Sequence, residues 1–152
     1  MDVHEGDLVP DFELPDQTGA KRSLRTLLDD GPVVLFFYPA AMTPGCTREA
    51  CHFRDIGADY ATAGVQRVGI SRDTVARQKQ FADRHSFDYP LLSDVDGEIA
   101  RLFGVMRGGV FGRFGVKRWT FVIGKDARIV KVIHSETNMT IHADEALRAL
   151  TG

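Results

Sequence analysis

Cysteine is scarce in this chain, which has two among its 152 residues, Cys46 and Cys51. Long apolar runs are missing as well. The longest extends from Val33 to Tyr38, far short of the about 20 residues that a membrane-spanning helix needs. Neither sign of charge is in large excess, because the formal net charge is -2. Nucleic acid and membrane surfaces are therefore not expected as partners.

The N-terminus lacks the basic start and apolar block of a signal peptide, since it reads MDVHEGDLVPDFEL. A cytoplasmic location is expected on that ground. In the cytoplasm a lasting structural disulfide is unusual, and paired cysteines are more often redox-active. The composition, with 43% hydrophobic and 26% charged residues, is that of a globular protein, and the length suits a single domain over residues 1–152.

Apolar runs typical of buried strands alternate along the chain with amphipathic stretches typical of helices. This alternation, which ends in a hairpin and a helix, predicts an α/β fold with a largely buried central sheet. Residues 104–118 contain five glycines and no acid, which favours a flexible surface loop. The predicted strands are 32–38, 65–71, 90–94, 119–124 and 127–135; the predicted helices are 43–63, 73 or 74 to 85, 97–103 and 142–150.

The spacing of the two cysteines does not match the common cysteine motifs. A structural zinc site has a second pair of ligands, and a thioredoxin-type redox motif has two residues between its cysteines. His52 follows Cys51 directly, but together with His4 and the cysteines it does not complete a zinc template. No metal and no cofactor are therefore expected.

Cys46 follows a sequence that is typical of a helix start. Thr43 suits the N-cap and Pro44 the first helical position, so Cys46 falls in the first turn. Unpaired N–H groups and the helix dipole favour an anion there, and for a cysteine that anion is the nucleophilic thiolate. Pro39 ends the predicted buried strand, which places Cys46 at an edge where α/β folds have their sites. A reactive thiol is therefore expected, the alternative being a small buried apolar residue.

Cys51 lies on the same predicted helix as Cys46, five residues further on. Five helical residues correspond to about 7.5 Å of rise and about 140° of rotation, so the two Cα atoms are about 9 Å apart. A disulfide requires at most about 7 Å between Cα atoms. The two cysteines can therefore bond only if the first turns of the helix unwind.

The segment PAAMTPGCTREAC resembles the active-site segment of the peroxiredoxins, Pro-x-x-x-Thr/Ser-x-x-Cys. The second cysteine, five positions on, resembles the bacterioferritin-comigratory-protein type, also called peroxiredoxin Q. The resemblance covers nearly the whole chain, through VPDFELPDQTG, VGIS, YPLLSD and RWTFVI. It implies a thioredoxin-like fold, with a central mixed sheet flanked by helices and an N-terminal hairpin. It also implies a thiol peroxidase that takes its electrons from thioredoxin or a similar dithiol.

The resemblance implies a role for each cysteine. Cys46 would attack hydrogen peroxide or an organic hydroperoxide and become a sulfenic acid. Cys51 would resolve that acid as an intrachain disulfide, which the dithiol reduces. We expect a monomer, or at most a weak dimer.

Further residues have expected roles around the reacting atoms. The hydroxyl of Thr43, the N–H groups of Gly45 and Cys46 and the guanidinium of Arg118 would stabilise the negative charge of the transition state. Pro39 would pack over the sulfur and exclude water. Glu49 resembles the acid that orients the family's arginine, the alternative being a solvated helix residue.

Two other classes of function fit the same residues. The chain could be a redox sensor, in which the disulfide signals to a partner protein. It could also be a binding module of thioredoxin-like fold without enzymatic activity. Peroxide consumption with thioredoxin at a catalytic rate separates the peroxidase from the sensor, and a Cys46 thiol inert toward peroxide would favour the module.

Overall fold

The computed structural model describes residues 3–107 and 115–151. In this part of the chain, strands and helices alternate much as the sequence predicts. The strands are β1 (Glu13–Pro15), β2 (Lys21–Ser23), β3 (Val33–Phe37), β4 (Gln66–Ser71), β5 (Leu91–Ser93), β6 (Trp119–Ile123) and β7 (Ile129–His134). The helices are α1 (Leu24–Leu28), α2 (Pro44–Asp55), α3 (Gly57–Ala63), α4 (Val75–His85), α5 (Glu98–Leu102) and α6 (Ile141–Thr151).

Five of the strands form one mixed sheet in the order β5-β4-β3-β6-β7. The pairs β3–β4 and β4–β5 are parallel, and each is joined by a helical connection. The pairs β3–β6 and β6–β7 are antiparallel. Strands β1 and β2 form a separate antiparallel hairpin. The predicted central sheet, its closing β6–β7 hairpin and the N-terminal hairpin are thus confirmed.

Strand β3 is the centre of the sheet and is buried on both faces, as its continuous apolar sequence predicts. Its side chains alternate between two apolar layers. Val33, Leu35 and Phe37 face the layer that contains the buried leucines of α1. Val34 and Phe36 face the other layer, which contains the buried side chains of α2, α3, α4 and α6. Cys46 lies in this second layer.

The predicted continuous helix over residues 43–63 is wrong, because it is interrupted at Ile56, whose φ of -99° and ψ of 21° lie outside the helical range. Arg67 on the neighbouring strand accounts for the break. Its Nη1 donates to the carbonyl oxygen of Phe53 at 3.0 Å, the acceptor that the N–H of Gly57 would use in a continuous helix. A Cβ on Gly57 would lie 2.7 Å from the same Nη1, so only glycine leaves room for the guanidinium.

The segment 104–118 is not wholly a surface loop, which corrects the sequence-based expectation. Val105 and Val116 are fully buried in the layer beneath α1 and α5, and Met106 pairs with Val116 in an antiparallel bridge. Both ends of the segment are therefore anchored in the core. The prediction of flexibility for residues 108–114 lies outside the described residues.

Helix α4 begins at the second of its two candidate caps, because the hydroxyl of Thr74 accepts a hydrogen bond from the backbone N–H of Arg77 at 3.2 Å.

Within residues 3–107 and 115–151, no helix combines the length and the apolar character needed to cross a bilayer.

Candidate active site

The segment between β3 and α2 carries the candidate nucleophile to the edge of the sheet. Its backbone is held by Asp73, whose Oδ2 accepts hydrogen bonds from the N–H of Ala41 at 2.7 Å and from the hydroxyl of Ser71 at 2.6 Å. Met42 then takes a left-handed backbone conformation with φ of 65° before the helix starts. Asp73 therefore fixes the entry to α2, a role that its sequence position alone does not reveal.

Thr43 is the N-cap of α2, as predicted, with Pro44 at the first helical position. Its hydroxyl does not cap the helix, however, and in this respect the expectation was wrong. The hydroxyl donates instead to the carbonyl oxygen of Ala40 at 2.8 Å. That bond fixes the side chain and leaves the lone pairs of its oxygen available. The helix start leaves the N–H groups of Gly45 and Cys46 without partners inside the helix.

Cys46 and Arg118 meet across the site although they are far apart in the sequence. Nη2 of Arg118 donates to Sγ of Cys46 at 3.4 Å. Cys46 is 1% exposed and Arg118 6%, so water screens their interaction little. The backbone N–H of Arg118 donates to Oε2 of Glu136 at 2.9 Å, which anchors the start of β6. A buried cation in contact with a sulfur favours negative charge that develops there during a reaction.

Glu49 completes the arrangement from the next turn of α2. Its Oε1 accepts a hydrogen bond from Nη1 of Arg118 at 2.8 Å, and the side chain is fully buried. The alternative of a solvated helix acid is therefore wrong. Burial raises the pKa of the Glu49 carboxyl to about 8, and the charge of Arg118 opposes that rise. The guanidinium thus uses one terminal nitrogen for Glu49 and the other for Cys46.

Gly45 lies where two side chains approach the first turn of α2. A Cβ at this position would lie 3.0 Å from Cε of Met139 and 3.1 Å from Nη2 of Arg118. Glycine therefore allows Arg118 to reach the sulfur. Met139, half-buried on the segment before α6, is a site residue that the sequence pattern did not indicate.

Pro39 is half-buried just beyond the end of β3. Cys51 lies on α2 with Cys46, and both cysteines are free thiols. Cys51 is half-buried, and this burial raises the pKa of its thiol.

His52 lies outside the site, because its Nε2 is 2.8 Å from Oδ1 of Asp144 on α6. The structure brings no group of three potential metal ligands together among the residues that it describes.

His142 is a second site residue that the sequence pattern did not indicate. It is fully buried in α6, with Nδ1 2.8 Å from the hydroxyl oxygen of Thr120 and Nε2 2.9 Å from the carbonyl oxygen of Ser135. Its Nδ1 is also 3.7 Å from Oε2 of Glu49. The one feature of the sequence that could have drawn attention to His142 is its position on the buried face of α6, and that position alone does not indicate a site.

These elements define a class of protein: an α/β fold of thioredoxin-like type with a buried, arginine-bound cysteine at the start of a helix. Comparisons with known proteins agree with this class. Residues 6–132 match the model of the AhpC/TSA family. The crystal structure of peroxidoxin BcpB from Mycobacterium tuberculosis is similar, with 58% identity and a TM-score of 0.94 over 98% of this chain and 97% of that one.

Two further relatives indicate which type of family member this chain is. Chloroplastic peroxiredoxin Q of Arabidopsis thaliana is 39% identical over 148 residues, which cover 97% of this chain and 67% of the relative. The bacterioferritin comigratory protein of Xanthomonas campestris has a structure with a TM-score of 0.84 and 30% identity over 92% of this chain and 90% of that one. The chain therefore belongs to the AhpC/TSA family and is a peroxiredoxin, a thiol-dependent peroxidase, of the bacterioferritin-comigratory-protein or peroxiredoxin Q type.

Proposed function

We propose that this peroxiredoxin reduces hydrogen peroxide and organic hydroperoxides through a sulfenic acid on Cys46, which Cys51 resolves as an intrachain disulfide. Thioredoxin or a similar dithiol then reduces the disulfide. The observation that carries the proposal is the guanidinium of Arg118, which contacts Sγ of Cys46 and Oε1 of Glu49 in a buried site.

In the first step the thiolate of Cys46 attacks one peroxide oxygen. A sulfur–oxygen bond forms, the oxygen–oxygen bond breaks, and the electrons of that bond leave with the second oxygen as hydroxide or alkoxide, which takes a proton. Negative charge is thus spread over three atoms in a line. Arg118, which donates to the sulfur, and the free N–H groups of Gly45 and Cys46 at the start of α2 are suited to stabilise that charge.

Thr43 and Pro39 have supporting roles in this proposal. The Thr43 hydroxyl, held by the carbonyl of Ala40, has oxygen lone pairs that can accept the hydrogen of a bound peroxide. Pro39 covers the approach to the sulfur and limits the access of water. Glu49 positions Arg118 by occupying Nη1, so that Nη2 points to the sulfur.

In the second step the sulfur of Cys51 attacks the sulfenic sulfur. A disulfide forms, water leaves, and the thiol proton of Cys51 balances the hydroxyl group that departs. Both cysteines lie on α2, so this step requires the helix to open. A dithiol then attacks this disulfide: the bond between Cys46 and Cys51 breaks, both return to thiols with two electrons and two protons from the dithiol, and the dithiol is itself oxidised to a disulfide.

Organic hydroperoxides belong in the proposed substrate class for two reasons. The structure of the Xanthomonas campestris relative was determined to study its alkyl peroxide reduction activity. In this chain, the thioether of Met139 adds an apolar surface next to Gly45 and Arg118. An alkyl group of the substrate would contact that surface.

Replacing Cys51 by serine tests the resolving step. We expect Cys51→Ser to consume about one equivalent of peroxide in a burst and then to lose at least about 90% of its thioredoxin-dependent turnover, because the sulfenic acid has no internal partner. Cys46→Ser should show neither burst nor turnover. Stopped-flow peroxide consumption, with the mass of Cys46 recorded after the burst, measures both. Full turnover in Cys51→Ser would show that another thiol resolves Cys46.

The same assay separates the peroxidase from a redox sensor. A sensor would form the disulfide but would not turn over repeatedly with thioredoxin, whereas the peroxidase would consume peroxide in proportion to the reductant oxidised. The buried Arg118–Cys46 contact serves the first oxidation step that both functions share, so it favours either of them over a binding module with an inert thiol.

Gly45→Ala tests the position of Arg118. The new Cβ would lie 3.0 to 3.1 Å from Met139 and Nη2 of Arg118, so the guanidinium must move from the sulfur by a few tenths of an ångström. We expect the rate constant with hydrogen peroxide to fall about tenfold, a cost of about 1.4 kcal/mol. Gly124→Ala, in the β6–β7 turn, is the control for a glycine replaced outside the site. An unchanged rate in Gly45→Ala would show that the reaction does not depend on the exact position of the guanidinium.

A further inference from the structure

Behind Arg118, away from the sulfur, Glu49 and His142 face each other in the core. Both side chains are fully buried. Oε1 of Glu49 is occupied by Arg118, but Oε2 has no hydrogen-bond partner among the described residues. Nδ1 of His142 lies 3.7 Å from Oε2, beyond hydrogen-bond distance. An unpartnered carboxylate oxygen in the core is costly, so this arrangement needs an explanation.

The hydrogen bonds of His142 determine its tautomer. The carbonyl oxygen of Ser135 can only accept, so Nε2 of His142 carries a hydrogen and donates to it. Nδ1 of the neutral ring is then an acceptor, and the Thr120 hydroxyl donates to it. Burial lowers the pKa of His142, which favours this neutral form. The one lone pair of Nδ1 is thus occupied by the Thr120 hydroxyl, and Nδ1 brings no hydrogen to Oε2 of Glu49, which lies 3.7 Å away.

A single proton neutralises the carboxylate of this pair, whether it is carried by Oε2 of Glu49 or by Nδ1 of His142. With the proton present, the two side chains together are neutral. Without it, they carry one negative charge in a medium of low dielectric constant. Arg118 contacts both Glu49 and the sulfur, so the charge on Cys46 and the charge on the pair act on the same guanidinium.

We propose that Glu49 and His142 form a buried proton-binding pair, which holds one proton while Cys46 is a thiolate and releases it when Cys46 becomes a sulfenic acid. The proposal rests on the proposed function of Cys46. His142 is a positioning residue in it, since it acts on the sulfur through Glu49 and Arg118.

The charge balance gives the physical reason. With a thiolate, the charge of Arg118 is neutralised by the sulfur, so a protonated pair leaves the site neutral. With a sulfenic acid the sulfur no longer compensates Arg118, and an ionised pair restores neutrality. The protons balance as well: the departing hydroxide or alkoxide takes one proton from water, and the pair gives one proton to water.

Burial has the largest effect on the pKa of Glu49 and of His142; the charge of Glu136 acts to raise both and so favours the protonated pair. Glu136 is half-exposed and paired with Arg107, and His134 is exposed on β7. The hydroxyl of Tyr89 donates to the carbonyl oxygen of Ala50, and burial raises its pKa, so Tyr89 stays neutral.

Nuclear magnetic resonance can detect the proton directly. In Cys51→Ser protein labelled with 13C at glutamate carboxyls and 15N at histidine rings, Glu49→Gln and His142→Gln variants assign the two signals. We expect either the Glu49 carboxyl or Nδ1 of His142 to be protonated in the reduced protein, and neither to be protonated after one equivalent of peroxide. Unchanged signals in protein whose mass shows one added oxygen would overturn the proposal alone. No added oxygen at all would overturn the proposed function, and this proposal with it.

The pH dependence of the rate constant with peroxide distinguishes proton binding by the pair from a purely structural role of His142. We expect a rate that falls at alkaline pH as the pair loses its proton. In His142→Gln, which keeps a donor for Ser135, that decline should move to lower pH by about one unit, a tenfold loss of proton affinity. In Thr120→Val, which frees Nδ1 to bind the proton, the decline should move to higher pH. A uniform loss of rate at every pH in both variants would overturn the proposal.

Discussion

Replacing Arg118 by alanine is expected to slow the reaction of Cys46 with peroxide by at least about a hundredfold. The guanidinium is the one side-chain cation that the structure places on Sγ of Cys46, at 3.4 Å, among the described residues. Removing a buried donor that is aimed at developing charge typically costs about 3 kcal/mol in the transition state. Stopped-flow measurement of the first oxidation step, before any reductant is added, isolates this effect.

The substitution also leaves Oε1 of Glu49 buried without its hydrogen-bond partner, which on its own destabilises the protein by about 1 to 3 kcal/mol. The double variant Arg118→Ala/Glu49→Gln removes the carboxyl, so no buried charge can form at this position, and it should remain slow. Arg118→Lys keeps a charge but loses the planar fork that serves Glu49 and Cys46 at once, so an intermediate rate is expected. Arg148→Ala, an exposed residue on α6, is the control. A fast Arg118→Ala protein would mean that another basic residue of segment 104–118 holds the role.

The sequence allowed the fold and the centre of the site to be predicted because those features depend on local patterns. The apolar run of β3 and the Thr43-Pro44 start of α2 are properties of a few neighbouring residues, and they placed Cys46 correctly. Arg118 and Glu49 were identified through resemblance to a family. Nothing in their local sequence distinguishes a buried ion pair from two surface charges.

The features that were missed depend on contacts between distant segments. The break at Ile56 follows from a guanidinium on β4 that reaches back to a helix carbonyl. The role of His142 follows from the packing of α6 against β6, which brings its ring to Thr120 and Glu49. Helical periodicity predicts which face of a helix is buried, but not which polar groups on neighbouring elements that face contacts.

Three side chains hold the backbone of α2 or its flank in the reduced protein. The hydroxyl of Tyr89 donates to the carbonyl oxygen of Ala50 at 2.7 Å, and Nη1 of Arg67 donates to that of Phe53 at 3.0 Å. Arg54, on α2 itself, donates to the carbonyl oxygen of His85 at 2.7 Å. These bonds secure the second half of the helix. The first turn has no side-chain cap, so it is the weaker end.

Formation of the Cys46–Cys51 disulfide is therefore expected to unwind α2 and to break some of these bonds. Amide hydrogen exchange should show this as a loss of protection on the order of a thousandfold or more across residues 45–54, while β3 stays protected. The Cα atoms of an intact helix are too far apart for the bond, so the opening is obligatory rather than incidental.

Opening should also activate the resolving thiol. Burial raises the pKa of Cys51 while the helix is folded, so its sulfur is then a poor nucleophile. Unwinding removes that burial and brings the sulfur of Cys51 within reach of the sulfenic sulfur of Cys46. The same motion thus provides both the nucleophile and the approach that the second step requires. Peroxide-treated Cys51→Ser is the matched control, because it is oxidised at Cys46 but forms no disulfide, and its α2 should keep its protection. If the wild-type protein loses two hydrogens by mass yet retains full protection over 45–54, the disulfide forms without unwinding and the helical spacing of the two cysteines does not control the reaction.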